Sequence, residues 1–341
     1  MTEPRPRVLV VDDSAFARKV LREVLARDGR FEVVGYARDG LDALEKIAEL
    51  QPDVITLDLM MPELDGVGVL QALAEQADPP RVVVVTMTDS GGALGVAALD
   101  AGAFDVVHKP TGLATDRLYE LASDLVEKVA IAARSKKKPT VVVTSPVIRP
   151  RTQVATELVV IGASTGGPRA LGQLLGALPG DFPVPIAAVV HMPIGYTEAF
   201  AARLDASSAL RVREATDGMQ LLPGQVVIGR AGVHMKIARA RGLLEVMLDP
   251  RAGDSLHCPS VDVLFASAAS ASKNVLGVVL TGMGSDGVVG ARAIRNSGGK
   301  LLGEAEASCV VYGMPRALAE ANLDAIEVPL GEMARAILGR L

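Results

Sequence analysis

The chain has 341 residues, 49% of them hydrophobic and 22% charged, with 34 Gly and 20 Pro. At about 150 residues per domain this length argues against one small domain, and the composition argues against a disordered chain or a coiled coil. Thirty-five Lys and Arg against 40 Asp and Glu give a formal charge of -5, so no strong basic field exists to hold nucleic acid by counterion release.

Two cysteines, Cys258 and Cys309, are too few for a disulfide framework, and no CxxC pair suggests a structural zinc site. A reducing cytoplasm is the expected location. The apolar run Val8-Leu9-Val10-Val11 ends at Asp12, and acidic, basic, Gly or Pro residues interrupt every other apolar stretch. Neither a signal-peptide core nor a spanning helix is expected, so the protein is expected to be soluble, with no membrane insertion.

In chain order, short aliphatic runs over residues 7–11, 31–37, 53–57, 81–86 and 105–108 alternate with stretches whose apolar residues recur three and four apart. Five βα units are predicted. The runs are rich in Val and Ile and largely unalternated, as strands buried on both faces should be, so the sheet is predicted to be parallel and helix-covered. Residues 129–156 include no acidic residue but six basic ones (Arg134, Lys136, Lys137, Lys138, Arg149 and Arg151), together with Pro139, Pro146 and Pro150, which read as a linker. The alternation resumes over 158–161, 184–190, 225–228 and 275–280, giving a second α/β domain. The domains are therefore expected at 1–128 and 157–341, with the linker at 129–156.

In the first half Asp12 and Asp13 end one predicted strand and Asp58 another, which clusters three carboxylates on the edge where open α/β sheets bind ligands. Carboxylates so placed repel one another unless a cation intervenes, and Mg²⁺ is the natural oxygen-seeking partner. Lys109 and Thr86 end two further strands on that edge, adding a cation and a hydroxyl suited to a phosphoryl group. Taken singly, such Asp residues are more often helix caps.

In the second half Gly162-Ala163-Ser164-Thr165-Gly166 matches G-x-S-x-G between a strand and a helix that opens on Pro168. A sharp turn of this kind exposes a nucleophilic hydroxyl beside free helix N–H groups. The competing readings are a phosphate cradle, which lacks its lysine here, and a simple tight turn. Of the four histidines, His191 directly follows the strand over 184–190, whereas His234 and His257 lie in polar stretches with no buried strand leading into them. Asp286 follows the strand over 275–280, making Ser164, His191 and Asp286 a candidate triad. Asp262 reads as a helix-surface carboxylate. A rival is present as well: Gly282 to Gly287 satisfies G-x-G-x-x-G, with Glu304 and Glu306 downstream as candidate ribose ligands.

The motifs V-D-D, T-L-D-L-M-M-P-x-x-D-G, V-T and K-P resemble the receiver domain of bacterial response regulators. I-G-A-S-T-G-G-P, H-M-P-x-G-Y-T, H-C-P-S-V-D-V-L-F, L-T-G-M-G-S-D-G and E-A-S-C-V-V-Y-G-M-P resemble the CheB family of chemotaxis protein-glutamate methylesterases. Together the two resemblances cover nearly the whole chain. They imply a flavodoxin-like receiver with a five-stranded parallel sheet, joined to a doubly wound α/β methylesterase domain.

For the receiver, the resemblance implies phosphoryl transfer from a histidine kinase of the CheA type to Asp58. Mg²⁺ would be held by Asp13, Asp58 and the Met60 carbonyl with Asp12 assisting, and Thr86 and Lys109 would contact the phosphate. For the second domain it implies hydrolysis of glutamate methyl esters on methyl-accepting chemoreceptors, and deamidation of receptor glutamines, without an organic cofactor. The oxyanion would be held by backbone N–H groups at Thr165 and Met283. The resemblance further suggests that the unphosphorylated receiver restrains the hydrolase. The same motifs would serve a hydrolase in a non-chemotactic pathway, and a noncatalytic phosphate sink is the alternative of another class. Three positions depart from the family pattern: Val106 where an aromatic is common, Ile194 where proline is common, and Cys258 where arginine is expected.

Overall fold

The computed structural model describes residues 4–87, 91–109, 115–135, 156–251 and 255–341. The chain divides into two compact units, residues 1–136 and 137–341.

The first unit has strands β1 (Arg7–Val11), β2 (Glu32–Ala37), β3 (Val54–Leu57), β4 (Arg81–Thr86) and β5 (Asp105–His108), alternating with helices α1 (Ala15–Asp28), α2 (Gly40–Leu50), α3 (Gly66–Ala74), α4 (Gly91–Asp100) and α5 (Thr115–Arg134). The strands pair in parallel in the order β2-β1-β3-β4-β5, the flavodoxin-like order. Residues such as Leu9, Val10, Ile55, Val83 and Val84 are fully buried, which is why the runs are aliphatic without alternation. Polar caps start the helices: Ser14 accepts from Ala17 N–H, Asp39 from Asp42 N–H and Asp65 from Gly68 N–H. A Cβ on Gly66 would lie 2.3 Å from the Asp58 carbonyl oxygen, so the D-G pair combines a cap with a close backbone approach.

The linker boundary expected at residue 129 falls inside α5. Val129, Ala130 and Ala132 are buried, so burial of an apolar face carries the helix on to Arg134 despite its basic end. The rest of the expected linker, from residue 136 to 155, lies outside the described residues.

The second unit contains β6 (Leu158–Ala163), α6 (Gly167–Gly176), β7 (Ile186–Val190), α7 (Thr197–Ser207), β8 (Arg211–Glu214), β9 (Gln225–Ile228), β10 (His234–Ala240), β11 (Leu243–Asp249), α8 (Val261–Ala271), β12 (Val275–Val279), α9 (Val288–Asn296), β13 (Lys300–Glu304), α10 (Met314–Glu320), β14 (Ile326–Val328) and α11 (Leu330–Leu338). Its seven-stranded parallel sheet runs β14-β13-β12-β6-β7-β9-β8. The chain leaves β6 toward β7 on one side and later returns to β12 on the other, so the strand order reverses at β6. That reversal opens a crevice beyond the carboxyl ends of β12, β6 and β7. A separate antiparallel hairpin, β10–β11, adds Met235, Ile237, Leu244 and Val246 to the core that includes Phe265 and Leu264 of α8.

Candidate functional sites

At the carboxyl edge of the first sheet, Asp12 is fully buried, Asp58 nearly so and Asp13 exposed, and one ligand oxygen from each lies within 4.8 Å of the others. Lys109 Nζ lies 2.6 Å from Asp12 Oδ2 and 2.5 Å from Asp58 Oδ2. Asp58 Oδ1 accepts the Leu59 N–H at 2.7 Å, and Asp12 Oδ1 accepts the Ser14 N–H at 2.9 Å. Burial pushes the Asp12 carboxyl above its ordinary range, a shift that Lys109 opposes and the nearby Asp58 charge adds to. One ammonium against three carboxylates leaves negative charge uncompensated, so the donor set fits a hard divalent cation such as Mg²⁺.

Thr86 ends β4, is buried, and accepts the Lys109 N–H through its carbonyl at 2.9 Å. Met60 is exposed just beyond Asp58. Val106 is buried within β5, and its carbonyl accepts from Lys128 Nζ at 2.8 Å.

The second site lies in the crevice at β6. Ser164 is the first residue after β6, in a turn that reaches α6 through Gly166 at φ 76°. Its N–H donates to the Thr281 carbonyl at 3.0 Å and its carbonyl accepts from Gly167 N–H at 2.6 Å, so one bond to the segment after β12 and one within the turn itself fix it. A Cβ on Gly282 would meet Ser164 N at 2.9 Å and Ser164 Cβ at 2.8 Å, and one on Gly162 would meet Val261 Cγ1 at 2.2 Å. Both glycines therefore allow an approach that a side chain would block.

His191 is the first residue after β7, and its N–H donates to the Ala163 carbonyl at 3.0 Å, which holds it one strand away from Ser164. Its Nε2 meets Asp286 Oδ2 at 2.9 Å. Asp286 also accepts from Ser260 Oγ at 2.9 Å, Asp262 N–H at 2.9 Å and Val261 N–H at 2.8 Å. Burial pushes this carboxyl upward, but His191 and the two α8 amides outweigh it and hold the group well below the usual carboxylate range. An ionised Asp286 accepts from Nε2–H, which assigns the lone pair of the ring to Nδ1. That Nδ1 is buried and has no hydrogen-bond partner among the described residues.

The expected oxyanion donors lie in the turn after β6 and the loop after β12. Thr165 is buried and Met283 exposed, and neither N–H makes a backbone hydrogen bond among the described residues.

Two histidines and an aspartate outside the candidate triad also bear on the site. His257, which no strand leads into, nevertheless lies at the site, because its ring stacks on His191 with centroids 3.9 Å apart and planes 21° apart. His234 is buried at the start of β10, where its Nδ1 accepts the Ser260 N–H at 3.2 Å. The polar neighbours of His234 hid a hairpin whose inward face is apolar, whereas His257 lies in the loop that follows β11. Asp262 is not a simple surface carboxylate, because its Oδ1 accepts from Gly287 N–H at 2.9 Å and Gly290 N–H at 2.7 Å.

Of the dinucleotide rival's two candidate ribose ligands, the first is enclosed, while Glu306 is exposed. Glu304 is fully buried, accepting from Thr281 N–H at 2.8 Å and Ser308 Oγ at 2.9 Å. Of the departing residues, Ile194 is exposed, and burial pushes the Cys258 thiol up, with Asp249 adding to the shift.

The response regulator receiver model matches residues 8–122 and the CheB methylesterase model residues 159–337. A protein-glutamate methylesterase/protein-glutamine glutaminase of Myxococcus xanthus is 57% identical over 96% of this chain and 95% of its own length. One from Syntrophotalea carbinolica is 42% identical over 98% and 97%. The chain belongs to the CheB methylesterase family. In structure, the CheB catalytic domain of Thermotoga maritima matches 54% of the chain and 97% of its own length, at 37% identity and a TM-score of 0.52. This CheB-family chain thus joins a receiver, whose acidic cluster suits the Mg²⁺ that receiver phosphorylation uses, to a hydrolase domain with its crevice at β6.

Proposed function

We propose that the chain is a phosphorylation-controlled protein-glutamate methylesterase that also deamidates glutamine, acting in chemotaxis adaptation. Its substrates are the signalling helices of methyl-accepting chemoreceptors, and its phosphodonor is a histidine kinase of the CheA type. The cytoplasm is its compartment, a reading compatible with the absence of any long apolar spanning helix among the described residues.

The observation that carries the reading is the Asp286–His191 pair, which leaves a buried, unpartnered Nδ1 one strand from Ser164. His191 Nδ1 takes the Ser164 hydroxyl proton as Oγ attacks the ester carbonyl. The tetrahedral oxyanion is held by the Thr165 and Met283 N–H groups. His191 returns the proton to the leaving methoxide, releasing methanol, and then deprotonates the water that cleaves the acyl-enzyme to glutamate. Asp286 stays ionised and stabilises the imidazolium in both steps. A glutamine side chain follows the same course, with ammonia leaving.

In the receiver, Asp58 is the phosphoacceptor, and Asp12, Asp13, Asp58 and the Met60 carbonyl would hold Mg²⁺. The cation supplies charge neutralisation for the incoming phosphoryl group. Lys109 and Thr86 would contact the phosphorylated carboxylate. The domains are assigned to residues 1–128 and 157–341, with a connecting segment at 129–156 whose first residues complete α5.

Methanol release from methylated receptor membranes tests the esterase reading. Ser164→Ala is expected to remain folded and to lose about 10³-fold or more of the rate. A rate within about tenfold of the parent would overturn the triad assignment.

A further inference from the structure

Asp286 and Asp262 belong to two helix starts that exchange carboxylates. Asp286 stands immediately before Gly287, the residue from which α9 begins, yet its oxygens accept the Val261 and Asp262 N–H groups at the start of α8. Asp262, in the first turn of α8, returns its Oδ1 to the Gly287 and Gly290 N–H groups at the start of α9. The exchange answers a local deficiency. Gly287, at φ 104°, precedes α9 without a side chain to cap it, so the helix takes its cap from a neighbour.

The two helices can come this close because position 290 is glycine. A Cβ there would lie 2.7 Å from the Asp262 carbonyl oxygen and 2.5 Å from Phe265 Cβ.

We propose that Asp262 is a positioning residue of the esterase. By holding the Gly287 and Gly290 amides it fixes the loop that carries Asp286, and through Asp286 it fixes the ring of His191. It touches neither substrate nor the reacting atoms. The inference rests on the assignment of Ser164, His191 and Asp286 made above. Nothing in the pairing of β12 supplies the same restraint, because that strand ends at Val279, seven residues before Asp286. Displacement of a catalytic group by about 1 Å costs on the order of 10²-fold in rate, which is the scale of effect a lost restraint would have. Burial pushes the Asp262 carboxyl up and the adjacent Asp286 charge adds to this, while the Gly290 and Gly287 amides pull it down, in keeping with its enclosed place between the helices.

The test uses the full-length chain with Mg²⁺ and a phosphodonor, following methanol release from methylated receptor membranes and thermal unfolding. Asp286→Ala is measured alongside as the reference for the site assignment. Asp262→Ala is expected to lower kcat by at least about tenfold while KM stays within about threefold. Asp262→Asn keeps an oxygen acceptor for both amides and is expected to recover most of the rate.

A folded Asp262→Ala with kcat within about threefold of the parent would overturn the inference. So would parallel changes in kcat and KM, or an Asn variant as slow as Ala. If Asp262→Ala does not fold, Asp262→Glu, which moves the carboxylate by one methylene, carries the comparison. Reduced kcat at constant KM supports the positioning role, and a parental kcat contradicts it. Failure of both to fold beside a fully active Asn variant assigns Asp262 to the fold alone and also overturns the proposal. An active Asp286→Ala would sink the site assignment itself, whereas an inactive Asp286→Ala beside an active Asp262→Ala would sink only this inference.

Discussion

Asp58 lies with Asp12 and Asp13 in a cluster where Lys109 is bound to two of the three carboxylates. A phosphodianion added there without a divalent cation would face strong repulsion. Asp58→Asn is therefore expected to abolish labelling by a small-molecule phosphodonor, and chelation of Mg²⁺ to do the same to the parent chain. Undiminished labelling in either case would contradict the phosphoacceptor assignment. Positions such as Ser164, His191 and Asp12 were legible because each directly follows a long aliphatic run, and in a parallel sheet that spacing alone selects one edge. Ser260 and His257 were not legible. Their proximity to His191 and Asp286 depends on a loop between β11 and α8, and no periodicity reports where such a loop folds back.

At the level of elements, the turn after β6 and the loop after β12 pack through Gly282. Gly282→Ala would drive a methyl to 2.4 Å from Met314 Sδ and 2.9 Å from the Ser164 backbone N, and the backbone cannot yield as a flexible side chain can. A stability loss of about 1–3 kcal/mol and a large fall in kcat are expected, measurable by thermal unfolding and methanol release. Parental values for both would contradict the packing described.

The N-terminus of α8 adds a pH dependence. The Asp286 carboxyl is depressed in the folded chain because His191 and the α8 amides outweigh burial, so its contribution to stability is present above the ordinary carboxylate range. It is lost as pH falls through that range toward the folded value. Asp286→Asn is expected to flatten the acid side of the curve of unfolding temperature against pH, and an unchanged slope would contradict this. Sequence patterning revealed the buried central strands well. It missed the edge strands β8 and β14 and the β10–β11 hairpin, because an edge strand or a hairpin with one exposed face carries charged residues such as Arg211, Arg213, Lys236 and Glu327 within it. It also missed the interior β13, a short strand whose aliphatic run is only Leu301-Leu302 between Lys300 and Gly303-Glu304.

For the whole molecule, both carboxyl edges obey one rule. In each unit the candidate site residues follow adjacent strands around the point where strand order reverses, β1 with β3 in the first and β12, β6 and β7 in the second. That common logic made the two-domain α/β organisation readable, whereas the end of the receiver was not, since the burial of Val129 and Ala132 extends α5 past the point where acidic residues stop. The joining of a phosphorylatable unit to a hydrolase has functional meaning only if phosphorylation changes the relative free energies of active and restrained states. The most direct measurement is the initial rate of methanol release from methylated receptor membranes by the intact chain, with and without a phosphodonor and Mg²⁺, beside Ser164→Ala and Asp58→Asn. The expected result is release that rises on phosphorylation, stays at the basal rate in Asp58→Asn and vanishes in Ser164→Ala. Release by Ser164→Ala close to the parental rate, or stimulation that persists in Asp58→Asn, would contradict the account.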